Sequence, residues 1–96
     1  MPQVVVAPAA SDALEALIRT HSLPADTRKR VARSLRRLER FPELGRELTV
    51  GRWSGYRVIL GPWRWLIILY KLDADAGTVM VPAFEDGRSS AAATTA

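Results

Sequence analysis

Very short connections between apolar runs are the feature that most limits how this 96-residue chain can fold. Residues 56–60, 63–72 and 78–84 are rich in β-branched, aromatic and other apolar residues, which is typical of strands. Only Gly61-Pro62 and residues 73–77 separate them. Because parallel neighbours need a crossover of a dozen or more residues, these runs are predicted to pair as an antiparallel sheet.

The N-terminal half predicts one more strand and two helices. Residues 3–7 contain three consecutive valines and end at Pro8, as a short strand does. Apolar residues then recur every three or four positions, first after a predicted Asp12–Glu15 capping box and again after Pro24. The chain is therefore predicted to be an α+β domain. In it, the N-terminal strand lies at the edge of a twisted, mainly antiparallel β-sheet, and a two-helix hairpin packs on that sheet.

Composition indicates one domain and no exported or membrane-bound class. An apolar content of 48% with three tryptophans supports a single core over residues 1–88, followed by a mobile Ser/Ala/Thr tail at 89–96. The absence of cysteine excludes disulfides and thiolate chemistry, and favours the reducing cytoplasm. The N-terminus lacks a basic signal-peptide region, and the apolar run at 58–72 is shorter than the roughly 20 residues of a membrane span.

Positive charge is concentrated in the middle of the chain. The formal charge is +4, but residues 28–64 hold eleven Lys and Arg against three Glu. Such a concentration favours an anionic partner, either nucleic acid or an acidic protein segment. Most of these cations surround the apolar stripe of the second helix, where a solvated face is the usual role and attraction of phosphate is the alternative.

Alternation along the second apolar run sorts its side chains onto two faces. The face predicted to lie under the helices holds Trp63, Trp65, Ile67 and Leu69. The opposite face holds Arg64, Leu66, Ile68 and Tyr70, with Arg57 and Ile59 beside it. Since two helices cover only one face of a small sheet, the second face is expected to expose an apolar patch that binds a protein partner.

Four stretches, in this order and spacing, resemble the RelE/ParE superfamily of toxins from type II toxin–antitoxin systems. They are FPELGREL at 41–48, GYRV at 55–58, WRWLIILY at 63–70 and VMVPAFEDGR at 79–88. The resemblance extends over residues 3–88. Toxins of this family inhibit growth, either by cleaving mRNA on the ribosome (the RelE branch) or by poisoning DNA gyrase (the ParE branch). A cognate antitoxin wraps the sheet and neutralises the toxin.

The resemblance implies a growth-inhibiting toxin, with ribosome-dependent mRNA cleavage as the first hypothesis. A non-enzymatic gyrase inhibitor and a catalytically silent relative that acts through complex formation are the alternatives. No metal or small-molecule cofactor is expected. The surface expected to bind the antitoxin consists of Ile59, Leu66, Ile68 and Tyr70.

Arg57, Arg64 and Arg88 match basic positions of the nuclease branch and are the predicted catalytic arginines. A guanidinium binds phosphate but stays protonated, so another group must take the proton of the RNA 2′-hydroxyl. Glu85 is the predicted candidate, and Asp86, Tyr70 and Lys71 are the alternatives.

The chain departs from the family pattern at two places. Ile59 replaces a second basic residue, and no Tyr or His follows Arg88, where RelE-like nucleases have a C-terminal aromatic or histidine that takes part in the reaction.

His21, alone in the turn between the helices, is interpreted as a surface residue. The predicted nucleic-acid contacts are Arg46, Arg52 and Trp53, the last as a stacking or antitoxin-docking residue.

Overall fold

Five strands form one mixed sheet in the order β1-β5-β4-β3-β2 in the computed structural model, which describes residues 2–88. The elements are β1 (Gln3–Val6), α1 (Pro8–Thr20), α2 (Thr27–Arg40), β2 (Arg46–Glu47), β3 (Arg57–Leu60), β4 (Leu66–Asp73) and β5 (Thr78–Asp86). β1 runs parallel to β5 at the sheet edge, and all other neighbours are antiparallel. The predicted α+β class, the two helices and the edge position of β1 are confirmed, while the predicted tail at 89–96 lies outside the described residues.

The connection between β3 and β4 is longer than the predicted two-residue turn. β4 begins at Leu66, so the connection comprises residues 61–65 and includes Trp63 and Trp65. It is closed by hydrogen bonds from the Gly61 amide to the Leu66 carbonyl (2.8 Å) and from the Leu66 amide to the Trp63 carbonyl (3.1 Å). The two tryptophans are therefore freed from the alternation of the strand.

Helix α1 begins four residues earlier than the predicted capping box. Its N-cap is Ala7, which makes no side-chain capping bond, and Pro8 occupies the first turn. Proline suits this position because its fixed φ is helical and its missing N–H would have no partner there. Asp12 consequently lies inside the helix, and the predicted Asp12–Glu15 box is wrong. The two-residue strand β2 was not predicted.

The helices cover the face of the sheet that the sequence predicted to be open. Side chains from both helices pack on one buried cluster of the sheet: Ala10, Leu14, Val31, Leu35 and Leu38 on Ile59, Leu66, Ile68, Tyr70, Val79, Val81 and Phe84. Leu66, Ile68 and Tyr70 are fully buried, and Ile59 is 8% exposed. The predicted antitoxin surface is therefore wrong, because these four side chains form the core.

The opposite face of the sheet, here called the far face, is partly covered by residues 48–56. Leu48 and Leu69 are buried, yet they lie outside the helix-covered cluster. The Trp53 indole Nε1 donates to Glu85 Oε1 (3.0 Å), and Glu85 pairs with Ile67 across β4 and β5. Because cross-strand partners share a face, this bond draws the 48–56 segment over the far face.

Tyr70 and Arg57 fasten the turn that precedes β2. The Gly45 amide donates to the buried Tyr70 hydroxyl (2.7 Å), and Arg57 Nη1 donates to the Gly45 carbonyl (2.7 Å). Burial raises the pKa of Tyr70 above its usual 10.0. Gly45 fits there because a Cβ would lie 2.5 Å from the Val58 carbonyl oxygen and 2.9 Å from the Tyr70 ring.

Removing the Tyr70 hydroxyl should destabilise the fold. In Tyr70→Phe the buried Gly45 amide loses its acceptor, at a cost of about 1–3 kcal/mol in the free energy of unfolding. Denaturant unfolding measures this. Tyr56→Phe is the matched control, because Tyr56 contributes its ring to contacts with Trp53 and Lys71. Equal losses in the two variants would contradict the assigned role of the Tyr70 hydroxyl.

Candidate functional site

Four side chains from three distant parts of the chain meet where α1 ends, β4 begins and β5 ends. We call His21, Trp65, Asp86 and Arg88 the His21 cluster. Pairing of Leu66 with Asp86, and the hydrogen bond from the Gly87 amide to the Trp65 carbonyl (2.5 Å), bring Trp65 beside the end of β5. His21 reaches the same place as the C-cap residue of α1, which packs on β5.

Asp86 is the centre of the cluster. Arg88 approaches it with Nε 3.0 Å from Oδ1 and Nη2 3.1 Å from Oδ2, and the Arg88 amide also donates to Oδ1 (2.9 Å). His21 Nε2 lies 3.2 Å from Asp86 Oδ2 and 3.5 Å from Arg88 Nη2. Trp65 packs against both basic residues. The centre of its ring lies 4.3 Å from the Arg88 guanidinium carbon and 5.3 Å from the centre of the His21 ring.

Electrostatics assigns different roles to the three polar members. The hydrogen bond from the Arg88 side chain holds the pKa of Asp86 below its usual 3.8, and the same bond raises the pKa of Arg88. At neutral pH the pair is therefore a carboxylate and a guanidinium, and neither transfers protons readily. The imidazole of His21 has one ring nitrogen that donates and one that accepts in its neutral form, so it is the proton-transfer candidate of the cluster.

The geometry favours one neutral form of His21. A carboxylate accepts hydrogen bonds, so Asp86 Oδ2 favours a proton on Nε2 and leaves Nδ1 free to accept another. The same carboxylate orients the imidazole ring, as the orienting Asp does in a catalytic triad. With 30% of its side chain exposed, His21 remains accessible to a substrate.

Asp86→Asn should change how stability depends on pH. Because the pKa of Asp86 is lowered in the folded state, its pair with Arg88 stabilises the protein above the usual carboxyl pKa of 3.8, and this contribution disappears as pH falls through the lowered value. Asp86→Asn should therefore lose stability near pH 7 and show a shallower fall in acid. Melting temperatures measured across pH check this, with Asp12→Asn as the control. Parallel wild-type and Asp86→Asn curves would contradict it.

A row of aromatic and cationic groups extends from the His21 cluster along the β3–β4 connection. Trp63 stacks on Trp65 with ring centres 5.9 Å apart and an interplanar angle of 13°. On the Trp63 side stands Arg30 of α2, its guanidinium carbon 5.9 Å from the ring centre. Arg64, between the two tryptophans in sequence, is exposed.

The predicted catalytic arginines are not gathered around one point. Arg88 belongs to the His21 cluster, and Arg64 lies on the adjoining connection. Arg57 lies opposite Tyr70 on the neighbouring strand. Tyr70 is five residues after Trp65, which corresponds to roughly 17 Å of extended strand. Arg57 donates to the Gly45 carbonyl and lies 3.7 Å from Glu47. Its contacts are those of a structural residue.

Glu85 lies on the far face, whereas Asp86 faces Arg88. Its Oε1 accepts the Trp53 bond, and within residues 2–88 its buried Oε2 has no hydrogen-bond partner. Trp53 also contacts Tyr56 edge-on at 5.3 Å, and Arg52 lies over its ring at 5.0 Å. Arg46 is exposed and pairs with Val58, a far-face residue. The predicted nucleic-acid contacts thus lie on the opposite side of the sheet from the His21 cluster.

No family model, curated protein or solved structure matches the chain. Across residues 2–88, no group of three or more His, Asp or Glu side chains could hold a metal ion. Neither of the two helices in this range has the length and apolar character needed to cross a bilayer. The His21 cluster and the sequence resemblance are therefore the two grounds for assigning a function, and the resemblance stays a prediction.

Proposed function

We propose that this chain is a growth-inhibiting toxin of the RelE/ParE type that cleaves mRNA on the ribosome, in the cytoplasm. The order of strand, two helices and antiparallel strands supports the assignment together with the four sequence stretches. The observation that carries it is the position of His21. A histidine oriented by Asp86 and placed beside Arg88 supplies the proton-transfer group that the sequence after Arg88 lacks.

Metal-free RNA cleavage needs three things from a protein. The 2′-oxygen forms a bond to phosphorus and the bond to the 5′-oxygen breaks, so a base must take the 2′-hydroxyl proton. Charge that accumulates on the phosphoryl oxygens must be stabilised, and the departing 5′-oxygen must gain a proton. His21 Nδ1 would take the first proton, Arg88 would hold the phosphate, and water would protonate the leaving oxygen. The products are a 2′,3′-cyclic phosphate and a 5′-hydroxyl.

Arg64 is proposed as a second phosphate contact. Its exposed position on the β3–β4 connection, between two tryptophans that lead to Arg88, lets it meet a strand that enters the site. Arg57 is assigned no part in the chemistry, because it lies opposite Tyr70, away from the His21 cluster, and its Nη1 donates to the Gly45 carbonyl.

An antitoxin remains part of the proposal, with a different surface from the one predicted. The core side chains are unavailable to it, whereas within residues 2–88 the far face keeps Val5, Leu60 and Met80 at least 36% exposed. A protein that neutralises the toxin would cover these residues or the His21 cluster.

Controlled expression in a bacterial host tests the proposal. We expect growth arrest, with new mRNA 5′ ends that fall in phase with codons when transcripts are mapped. Intact mRNA together with accumulated gyrase–DNA cleavage complexes would overturn it in favour of the gyrase alternative. Normal growth with intact mRNA would favour the catalytically silent alternative.

A further inference from the structure

We infer that the outward ring face of Trp63 is a stacking platform for an unpaired nucleobase of single-stranded RNA. It would hold the strand beside the His21 cluster. The inference depends on the proposed function only for the choice of RNA as ligand. It adds a binding site that the catalytic proposal does not require.

The two ends of the tryptophan pair differ in how closely they are covered. Arg88 lies 4.3 Å from the Trp65 ring centre, whereas Arg30 stands 5.9 Å from that of Trp63. Arg30 is also held by an exposed ion pair with Asp26 four residues earlier on the chain, at 2.9 Å. Exposed pairs of this kind contribute little, so Arg30 can move aside or stack on a base at small cost.

Charge around Trp63 suits a phosphate backbone. Arg30 and Arg37 lie two turns apart on α2, and both approach the β3–β4 connection, Arg37 Nη2 donating to the Leu60 carbonyl (3.4 Å). Arg64 is exposed on the connection itself. An aromatic face flanked by cations is how proteins bind single strands, because each base has a face to stack and each nucleotide carries a phosphate.

The rings point to a single strand rather than a duplex. A base can lie on Trp63 only if its own faces are free, which excludes bases inside a helix. The ring centre of Trp63 lies 5.9 Å from that of Trp65, and Arg88 and His21 contact Trp65. A base on Trp63 and a phosphate at Arg88 would therefore belong to the same short stretch of strand.

Binding is best measured with RNA that cannot be cleaved. The probe is a short fluorescently labelled RNA, fully 2′-O-methylated, with affinity read by anisotropy. Trp63→Leu keeps apolar bulk against the core and should weaken binding roughly 5- to 100-fold. Trp63→Phe should retain much of the affinity. Phe41→Leu is the control, because Phe41 is also aromatic and is exposed at the C-terminal end of α2, outside the Trp63–Trp65 pair, and it should bind as wild type does.

Three binding results would contradict a base-stacking role of Trp63. No binding by the wild type, equal binding by folded Trp63→Leu, or equal competition by a duplex of the same sequence would overturn it. Trp63-dependent binding without RNA cleavage would support the Trp63 site and contradict the proposed nuclease activity. Cleavage of natural RNA at the same rate by wild type and Trp63→Leu would support the nuclease activity and contradict the Trp63 site.

Discussion

Replacing Leu66 by alanine is expected to lower the free energy of unfolding by about 2–5 kcal/mol. Leu66 is fully buried between the sheet and the helices, so the shortened side chain leaves a cavity that the surrounding core can fill only partly. A domain of this size has a total stability of about 5–15 kcal/mol, so the loss is a large fraction of it. Chemical denaturation monitored by tryptophan fluorescence gives the value.

Leu60→Ala is the matched control for that experiment. Leu60 is the same residue type on the neighbouring strand, but it is 49% exposed and lies on the far face. Leu60→Ala should therefore lower the free energy of unfolding much less than Leu66→Ala does. A larger loss in Leu60→Ala than in Leu66→Ala would mean that the helices cover the other face, and similar losses in both would contradict the burial of Leu66 alone.

The sequence predicted the elements of the fold better than the orientation of the sheet. Turn residues and apolar runs located α2, β4 and β5 to within a few residues, because proline, glycine and periodicity act locally. The buried face of β4 was missed because Leu66, Ile67, Ile68 and Leu69 are all apolar, so alternation offers no contrast. Arg64 gave a false contrast, since it belongs to the connection and not to the strand.

The candidate site could be predicted only in part for a similar reason. Arg88 was found through the resemblance, whereas His21 lies 67 residues away from it and has no neighbours in sequence that mark it. Its position depends on where α1 ends against β5, which is a property of packing. The sequence places both Glu85, the predicted base, and Asp86, an alternative, close to Arg88. The alternation of β5 places Asp86 beside Arg88 and Glu85 beside Trp53.

His21→Gln should lower the rate of mRNA cleavage by about 100- to 10,000-fold, the usual contribution of a general base. Glutamine has similar length and can still bond to Asp86, but it cannot accept the 2′-hydroxyl proton. Rates measured with purified protein on programmed ribosomes check this, with melting temperature as the test of folding. The same change should relieve growth inhibition.

A second variant separates a chemical role of His21 from a structural one. His21→Ala should regain part of its cleavage rate when imidazole is added to the buffer, because a free base can enter the exposed cluster. Asp12→Asn, on the same helix but outside the cluster, should cleave at the wild-type rate. Full activity in His21→Gln would contradict the assigned role.

The identity of the RNA ends tests the central claim most directly. Wild-type protein is given ribosome-bound mRNA in two forms, one with ribose throughout and one with a single 2′-deoxynucleotide before the cut phosphate, and the products are identified by mass. We predict a 2′,3′-cyclic phosphate and a 5′-hydroxyl from the first and no cut at that position in the second. A cut that persists in the deoxy substrate, or that leaves a 5′-phosphate, would contradict proton transfer from the 2′-hydroxyl to His21.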